Sequence, residues 1–201
     1  QGDFLHNVWF LLFENAKRSR QVKKKDDPMG KVRLRLSAVQ EWRQGEGLPK
    51  NWDSIRKTVL FRDNYTCYYC GFSCDKYMHV HHKEGRHYDN SPDNLITLCP
   101  LCHSCLHIGH AGINKLGSLL LLREEIDQAK LNRKLLENAT LEFFVVTRKR
   151  LPVEKDFGSD GLIELANEIL QGNIAPDGRF VFFPDHDKYD IVQHLVLRQN
   201  E

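Results

Sequence analysis

Cys67-Tyr-Tyr-Cys70-Gly and Cys99-Pro-Leu-Cys102 are two C-x2-C knuckles with 28 residues between them. Each knuckle can aim two thiolates at one point, and two such pairs complete the tetrahedral sulfur shell that structural zinc takes. With thiolates in all four positions that ion keeps no open site, so it is a staple for the fold and not a catalyst. Cys74 and Cys105 are left over; they read as buried thiols, with Cys105 extending the second knuckle to C-x2-C-x2-C as an alternative ligand. A second constellation lies between and just beyond the knuckles: His81-His82, Asn94 ahead of Leu95-Ile96-Thr97-Leu98, then His103 and His107. On a helix, His103 and His107 share one face and both imidazoles reach one cation. On a strand, His81 and His82 point to opposite sides, so one can bind a metal while the other meets a water. Hydrolysis of a phosphodiester needs such parts, a base with a near-neutral pKa and a Lewis acid on the scissile oxygen. An all-histidine shell suits a transition metal such as Zn2+, Ni2+ or Mn2+ and leaves positions for phosphate. His79, His110, His186 and His194 read as ordinary histidines.

Several elements must position these residues. Trp52 to Arg62 reads as a short helix leading into the first knuckle. Before it, Val32, Leu34 and Leu36 alternate with Lys31, Arg33 and Arg35, the pattern of a half-buried strand with a basic outer face. After the histidines, Leu119 to Leu122 predicts a strand or buried turn running into a helix over Arg123 to Asn138. Leu141 to Arg148 suits a buried strand as well as a helix end. The tail reads as a helix over Leu162 to Leu170 stopped at Gly172, a strand over Arg179 to Phe183, Pro184, and a helix over Lys188 to Leu197. At the front, Asp3 to Ser19 predicts an apolar helix, followed by the charged linker Lys23-Lys24-Lys25-Asp26-Asp27-Pro28; Met29 just after it allows residues 1–28 to be an appended piece. The expected organisation is therefore an arm and linker over 1–28, a zinc domain over 29–150 with its core at 58–110, and an acidic α/β extension over 151–201. The fold class is α+β.

The hydrophobic fraction of 41% and charged fraction of 28% are those of an ordinary globular chain, and the longest apolar run is far too short to span a bilayer. Net charge is only +2, but residues 1–62 carry 14 basic and 7 acidic side chains while residues 151–201 carry 4 and 10. The front half can meet a phosphate backbone or an acidic partner, and the tail is unsuited to nucleic acid. Arg33, Arg35, Arg56, Lys57, Arg62 and Arg86 are the candidate backbone contacts to a DNA duplex. The cysteine spacing reads as metal binding in a reducing, cytoplasmic compartment, because no basic segment precedes the early apolar run as a secretory signal would require.

The segment from about Arg62 to Gly109 resembles the HNH (ββα-metal) endonucleases, in particular the nuclease colicins and the cysteine-knuckled enzymes. The double histidine, the asparagine before an apolar run, the paired histidines and both knuckles all appear in order. The resemblance implies a β-hairpin and a helix gripping one divalent ion (Mg2+, Mn2+, Ni2+ or Zn2+). By it, His81, His103 and His107 are metal ligands, His82 is the general base, and Asn94 fixes the loop and orients His82. A longer and weaker resemblance, from about Lys31 to Leu197, is to the IcmJ/DotN-like proteins of type IVB secretion. It implies a non-catalytic zinc adaptor docking on a secretion coupling ATPase. That family's core keeps the cysteine site without the catalytic histidines, which this chain retains.

Overall fold

A helix and a turn lead into the first knuckle. Trp52–Arg62 forms helix α1, and Asn64 and Tyr65 then adopt left-handed φ values of 50° and 51°, which reverses the chain into the first knuckle. The computed structural model of the chain describes residues 33–39, 49–83, 85 and 88–198. The arm over 3–19, the linker over 23–28 and Arg86 lie outside them. Strands β1 (His79–His82) and β2 (Leu95–Leu98) pair antiparallel with His81 opposite Ile96 and His82 opposite Leu95. The long loop between them is closed by the Lys83 amide donating to the Asn94 carbonyl at 2.7 Å. Pro100 at the first position, where a missing N–H costs nothing, starts helix α2 (Pro100–Leu106) directly from Cys99. His107, at φ −118° and ψ 51°, breaks the helix, and α3 (Ile108–Ile113) continues beyond it.

The remainder packs on this unit. Strand β3 (Gly117–Leu122) lies between β4 (Val153–Phe157) and β5 (Phe180–Pro184), antiparallel to both. Its leucines are buried on both faces, which explains an uninterrupted apolar run in place of alternation. Helices α4 (Gln128–Glu137) and α5 (Leu141–Arg150) link β3 to β4. The ambiguous 141–148 stretch is helix, started by an N-cap in which the Thr140 side chain accepts from the Phe143 amide at 3.1 Å. Helix α6 (Gly158–Leu170) crosses α3 so closely at Gly112 that a Cβ there would stand 2.8 Å from the Ser159 carbonyl oxygen. Gly172, at φ 74°, follows α6, and α7 (Asp190–Arg198) ends the described chain. Among the described residues the architecture is thus α+β, seven helices with five short antiparallel strands. None of these helices is long and apolar enough to cross a membrane.

The expected strand over 31–36 is corrected within its described part. Residues 33–38 alternate in burial as expected, with Leu34, Leu36 and Ala38 buried, but they form no strand of a sheet, only a single bridge from Ala38 to His107. Its main chain instead clamps the end of α2: the Ser37 and Val39 amides donate to the Cys105 and Leu106 carbonyls at 2.8 and 3.0 Å. The orphan carbonyls of a helix terminus here take the place of a partner strand.

Candidate metal centres

The first knuckle is a turn closed by the Gly71 amide donating to the Cys67 carbonyl at 2.9 Å, with Gly71 at φ 71°, where a side chain would be strained. The Tyr68 amide donates to the Thr97 carbonyl, which hangs this knuckle on β2. The second knuckle is the start of α2, where the Cys102 amide donates to Cys99 Sγ at 3.4 Å. One sulfur from each of Cys67, Cys70, Cys99 and Cys102 lies within 4.8 Å of all the others, and all four are buried. Cys70 and Cys99 Sγ are 3.7 Å apart; a tetrahedron with metal–sulfur bonds of about 2.3 Å has edges of about 3.8 Å. Hydrogen bonds from the thiols of Cys102, Cys70 and Cys99 hold Cys67 far below the usual thiol range, while burial holds Cys99 and Cys102 well above it. Sulfurs crowded enough to share protons are satisfied together when a divalent cation replaces those protons. The four cysteines are therefore a metal-binding cluster. Cys105 is not a fifth member: burial pushes its thiol up to about 12, and it donates to the Leu101 carbonyl at 3.2 Å.

A support for this centre that the sequence did not disclose comes from α4. The fully buried Asn132 side-chain amide donates to Cys102 Sγ at 3.3 Å and reaches Cys105 Sγ at 3.6 Å. Its oxygen accepts from Gln128, which also exchanges hydrogen bonds with the Phe182 main chain at 2.9 and 3.0 Å. Charge on a metal-bound sulfur is stabilised by such N–H donors. Asn132→Leu should lower metal affinity by about 10- to 100-fold, the range for losing an outer partner of a ligand. Competition with a chromogenic chelator measures it, and unchanged retention would show the amide to be only core packing.

The histidines meet on one side of the hairpin. His81, His103 and His107 each place a ring nitrogen within 4.8 Å of the other two. His107 Nε2 is 3.2 Å from His81 Nδ1, close to the edge of about 3.3 Å expected for two nitrogens about 2.05 Å from one ion. His107 Nδ1 is 2.9 Å from the Val39 carbonyl, an outer hydrogen bond that fixes the tautomer leaving Nε2 as the donor atom. His79, two residues before His81 and so on the same face of β1, has Nδ1 3.1 Å from His103 Nδ1. Period-two spacing was the signal that could have placed it there. His79, His103 and His107 wall a cleft of about 330 Å3, lined also by His110, Tyr77 and Lys188. Tyr189 closes its far side with its hydroxyl donating to Ser104 Oγ at 2.8 Å.

Burial, then the neighbouring imidazoles, hold His103 well below the usual histidine range. Neutral imidazoles are the ligand form. With zinc kept in the cysteine cluster and no ion at the histidines, the unfolded chain binds protons from about pH 6.5 downward that folded His103 refuses. Stability is therefore complete above that pH and is lost as pH falls from there toward the depressed folded value. Melting curves of protein that retains the cluster zinc but is stripped at the histidines, taken between about pH 7.5 and about pH 5.5, should show this, and His103→Gln should flatten the slope.

His82 does not join that group. It lies on the opposite face of β1, stacked on Trp52 at 5.7 Å between ring centroids, with Nε2 2.9 Å from Asn90 Oδ1. Asn94 is buried, and its side-chain amide donates to the Asp89 carbonyl at 2.8 Å, which ties the loop carrying Asn90. Asn90 was not singled out by the sequence.

The basic candidates are distributed differently. Arg62 donates to Asp63 and to the Pro92 and Leu95 carbonyls at 2.7, 2.6 and 2.7 Å, and Asp63 accepts from the Thr97 amide at 3.0 Å. Arg56 donates to the Met78 carbonyl at 2.7 Å. Both thus brace the hairpin. Arg33 and Arg35 face Glu125 at 3.3 and 3.8 Å, and Lys57 is exposed on α1.

A hairpin followed by a helix, with histidines from strand and helix converging on one point beside a four-cysteine cluster, is the ββα-metal arrangement. Residues 67–108 match the family model described as HNH endonuclease. Two relatives are similar over parts of the chain. The type 4 apparatus protein DotN of Legionella pneumophila is 30% identical over 100 residues, 48% of this chain and 47% of DotN. The Zorya protein ZorE of Escherichia coli is 42% identical over 60 residues, 28% of this chain and 16% of ZorE. The matched part thus spans about half of one relative and about a sixth of the other.

Proposed function

We propose that this chain is a metal-dependent HNH endonuclease that hydrolyses DNA phosphodiester bonds. The observation that carries the reading is the convergence of His81, His103 and His107 at ligand distance, with His103 and His107 on the wall of a cleft, in addition to a complete cysteine cluster. A scaffold needs one closed metal site, and the cysteines already supply it, as zinc ligands by their donor type.

A divalent ion at the three histidines would supply Lewis acidity toward the scissile phosphate and its departing oxygen. His82 takes the proton of the attacking water. If Nε2 carries the ring proton and donates to Asn90 Oδ1, Nδ1 holds the basic lone pair, and Trp52 fixes the ring plane. Asn94 acts on His82 through the loop, by holding Asp89 next to Asn90. Lys188 on the cleft wall, paired with Asp187 at 3.4 Å, would meet a phosphate, and Lys57, Arg33 and Arg35 add a salt-sensitive attraction weakened for the arginines by Glu125.

The similarity to DotN favours a second reading, a zinc adaptor that docks on a secretion coupling ATPase in the cytoplasm. Plasmid nicking by the purified chain with Mg2+, Mn2+, Ni2+ or Zn2+, with and without chelator, separates the two. Cleavage that needs the ion and disappears in His107→Ala supports the enzyme. Absence of cleavage with every ion, together with recovery of a tight complex with such an ATPase, supports the adaptor.

A further inference from the structure

The cysteine cluster and the histidine centre leave one thiol, one carboxylate and one imidazole grouped elsewhere. Where α7 passes the turn after the first knuckle, Cys74, Asp75 and His194 each bring one ligand atom within 4.8 Å of the other two. Cys74 is buried, and its Sγ is 3.8 Å from Asp75 Oδ1. A sulfur and an oxygen bound at about 2.3 and about 2.1 Å on a tetrahedral shell stand about 3.6 Å apart. The positions are held from both sides. Tyr77, at φ 64°, bends the turn and sets its ring 5.4 Å from the His194 ring, and Arg198, one helical turn after His194, lies 3.7 Å from Asp75 Oδ1.

A second observation concerns His194 alone. Its Nε2 is shielded from solvent and has no hydrogen-bond partner. Buried polar atoms without partners are rare in folded proteins, because losing water without gaining a new partner costs about 1–3 kcal/mol. A cation shared with the neighbouring thiol and carboxylate would give the His194 imidazole a partner. Together the three side chains form a mixed sulfur, nitrogen and oxygen donor set, which suits zinc-like ions and not the all-oxygen preference of magnesium or calcium.

We propose that Cys74, Asp75 and His194 form a third metal site that takes a zinc-like divalent cation, with water or an outside donor in the fourth position. Binding releases the Cys74 proton to solvent, and the ion bonds to the thiolate, one carboxylate oxygen and one imidazole nitrogen. The side chain of Asp75 is 63% exposed, so the site exchanges its ion with solution more readily than the buried cysteine cluster does. Filling it fastens α7 to the first knuckle, next to the cleft wall formed by Tyr77, Lys188 and Tyr189.

The test uses the full chain with zinc retained in the four-cysteine cluster and weaker sites stripped, titrated with Co2+. A histidine-only centre gives no thiolate-to-cobalt charge-transfer absorption, whereas this site gives the band of a single thiolate. The expected result is a band whose amplitude at saturation is that of one thiolate-bound Co2+ per chain in the wild type, that is absent in Cys74→Ser, and that requires at least about tenfold more Co2+ in His194→Ala. No band in the wild type, or a band of equal amplitude and affinity in Cys74→Ser or His194→Ala, overturns the assignment. The wild-type titration and His194→Ala decide the matter even if Cys74→Ser does not fold.

Discussion

Cys67→Ser or Cys99→Ser should give a chain that fails to fold, recovered as aggregate or as soluble protein without a cooperative melt. Zinc binding in structural sites of this type amounts to about 10 kcal/mol or more, comparable with the whole stability of a domain, about 5–15 kcal/mol. The geometry makes the loss general. The first knuckle hangs on β2 through Tyr68 and Thr97, and the second is the first turn of α2, so one ion joins the hairpin to the helix that carries His103 and His107. Asn132 extends the same centre to α4. Metal content and thermal denaturation check the expectation. A cysteine variant that melts as the wild type does and keeps its full zinc content would remove the cluster's structural role.

His82→Ala should do the opposite, leaving fold and metal content intact while DNA cleavage falls by about 10^2- to 10^4-fold, the range for loss of a positioned general base. The separation follows from the strand. His81 faces His107 and His103, whereas His82 on the other face contacts Trp52 and Asn90, so truncating it removes no member of the histidine group. Single-turnover nicking of plasmid at fixed Mn2+, beside metal analysis, measures both halves. Cleavage at the wild-type rate would move the base elsewhere, and His79, 3.1 Å from His103, is the next residue to substitute. By contrast, on the proposed reading His107→Ala should lose activity together with the ion, because the ring removed would be a ligand and not a proton acceptor.

Much of this centre was legible in the amino-acid order because metal ligation imposes short, rigid spacings. C-x2-C, adjacent histidines and histidines four apart are local geometry, and the structure brings Cys67, Cys70, Cys99 and Cys102 together and His81, His103 and His107 together. Helix Trp52–Arg62 and the buried leucine strand were likewise readable from a window of a few residues. Strand β4 was not, because Val153 and Phe157 lie among charged residues in a stretch whose pairing is decided by the edge β3 offers it. The basic 33–36 segment alternates like a strand, yet periodicity records only which side is buried and not what the main chain bonds to, which here is the end of α2.

What only the tertiary structure decided are contacts between residues brought together by the fold. Asn132 on the sulfurs, Val39 behind His107, Asn90 on His82, Glu125 opposite Arg33, and His194 over the Cys74 turn leave no periodic trace, since each partner is chosen by packing between elements. The same holds for the cleft, whose far wall of Lys188 and Tyr189 comes from an acidic tail that composition alone sets apart from nucleic acid. Ligand types and spacing are local properties written into the order of residues. Their partners, and the side of the molecule on which they open to solvent, are settled by how helices and strands pack, through interactions that the sequence does not place next to one another.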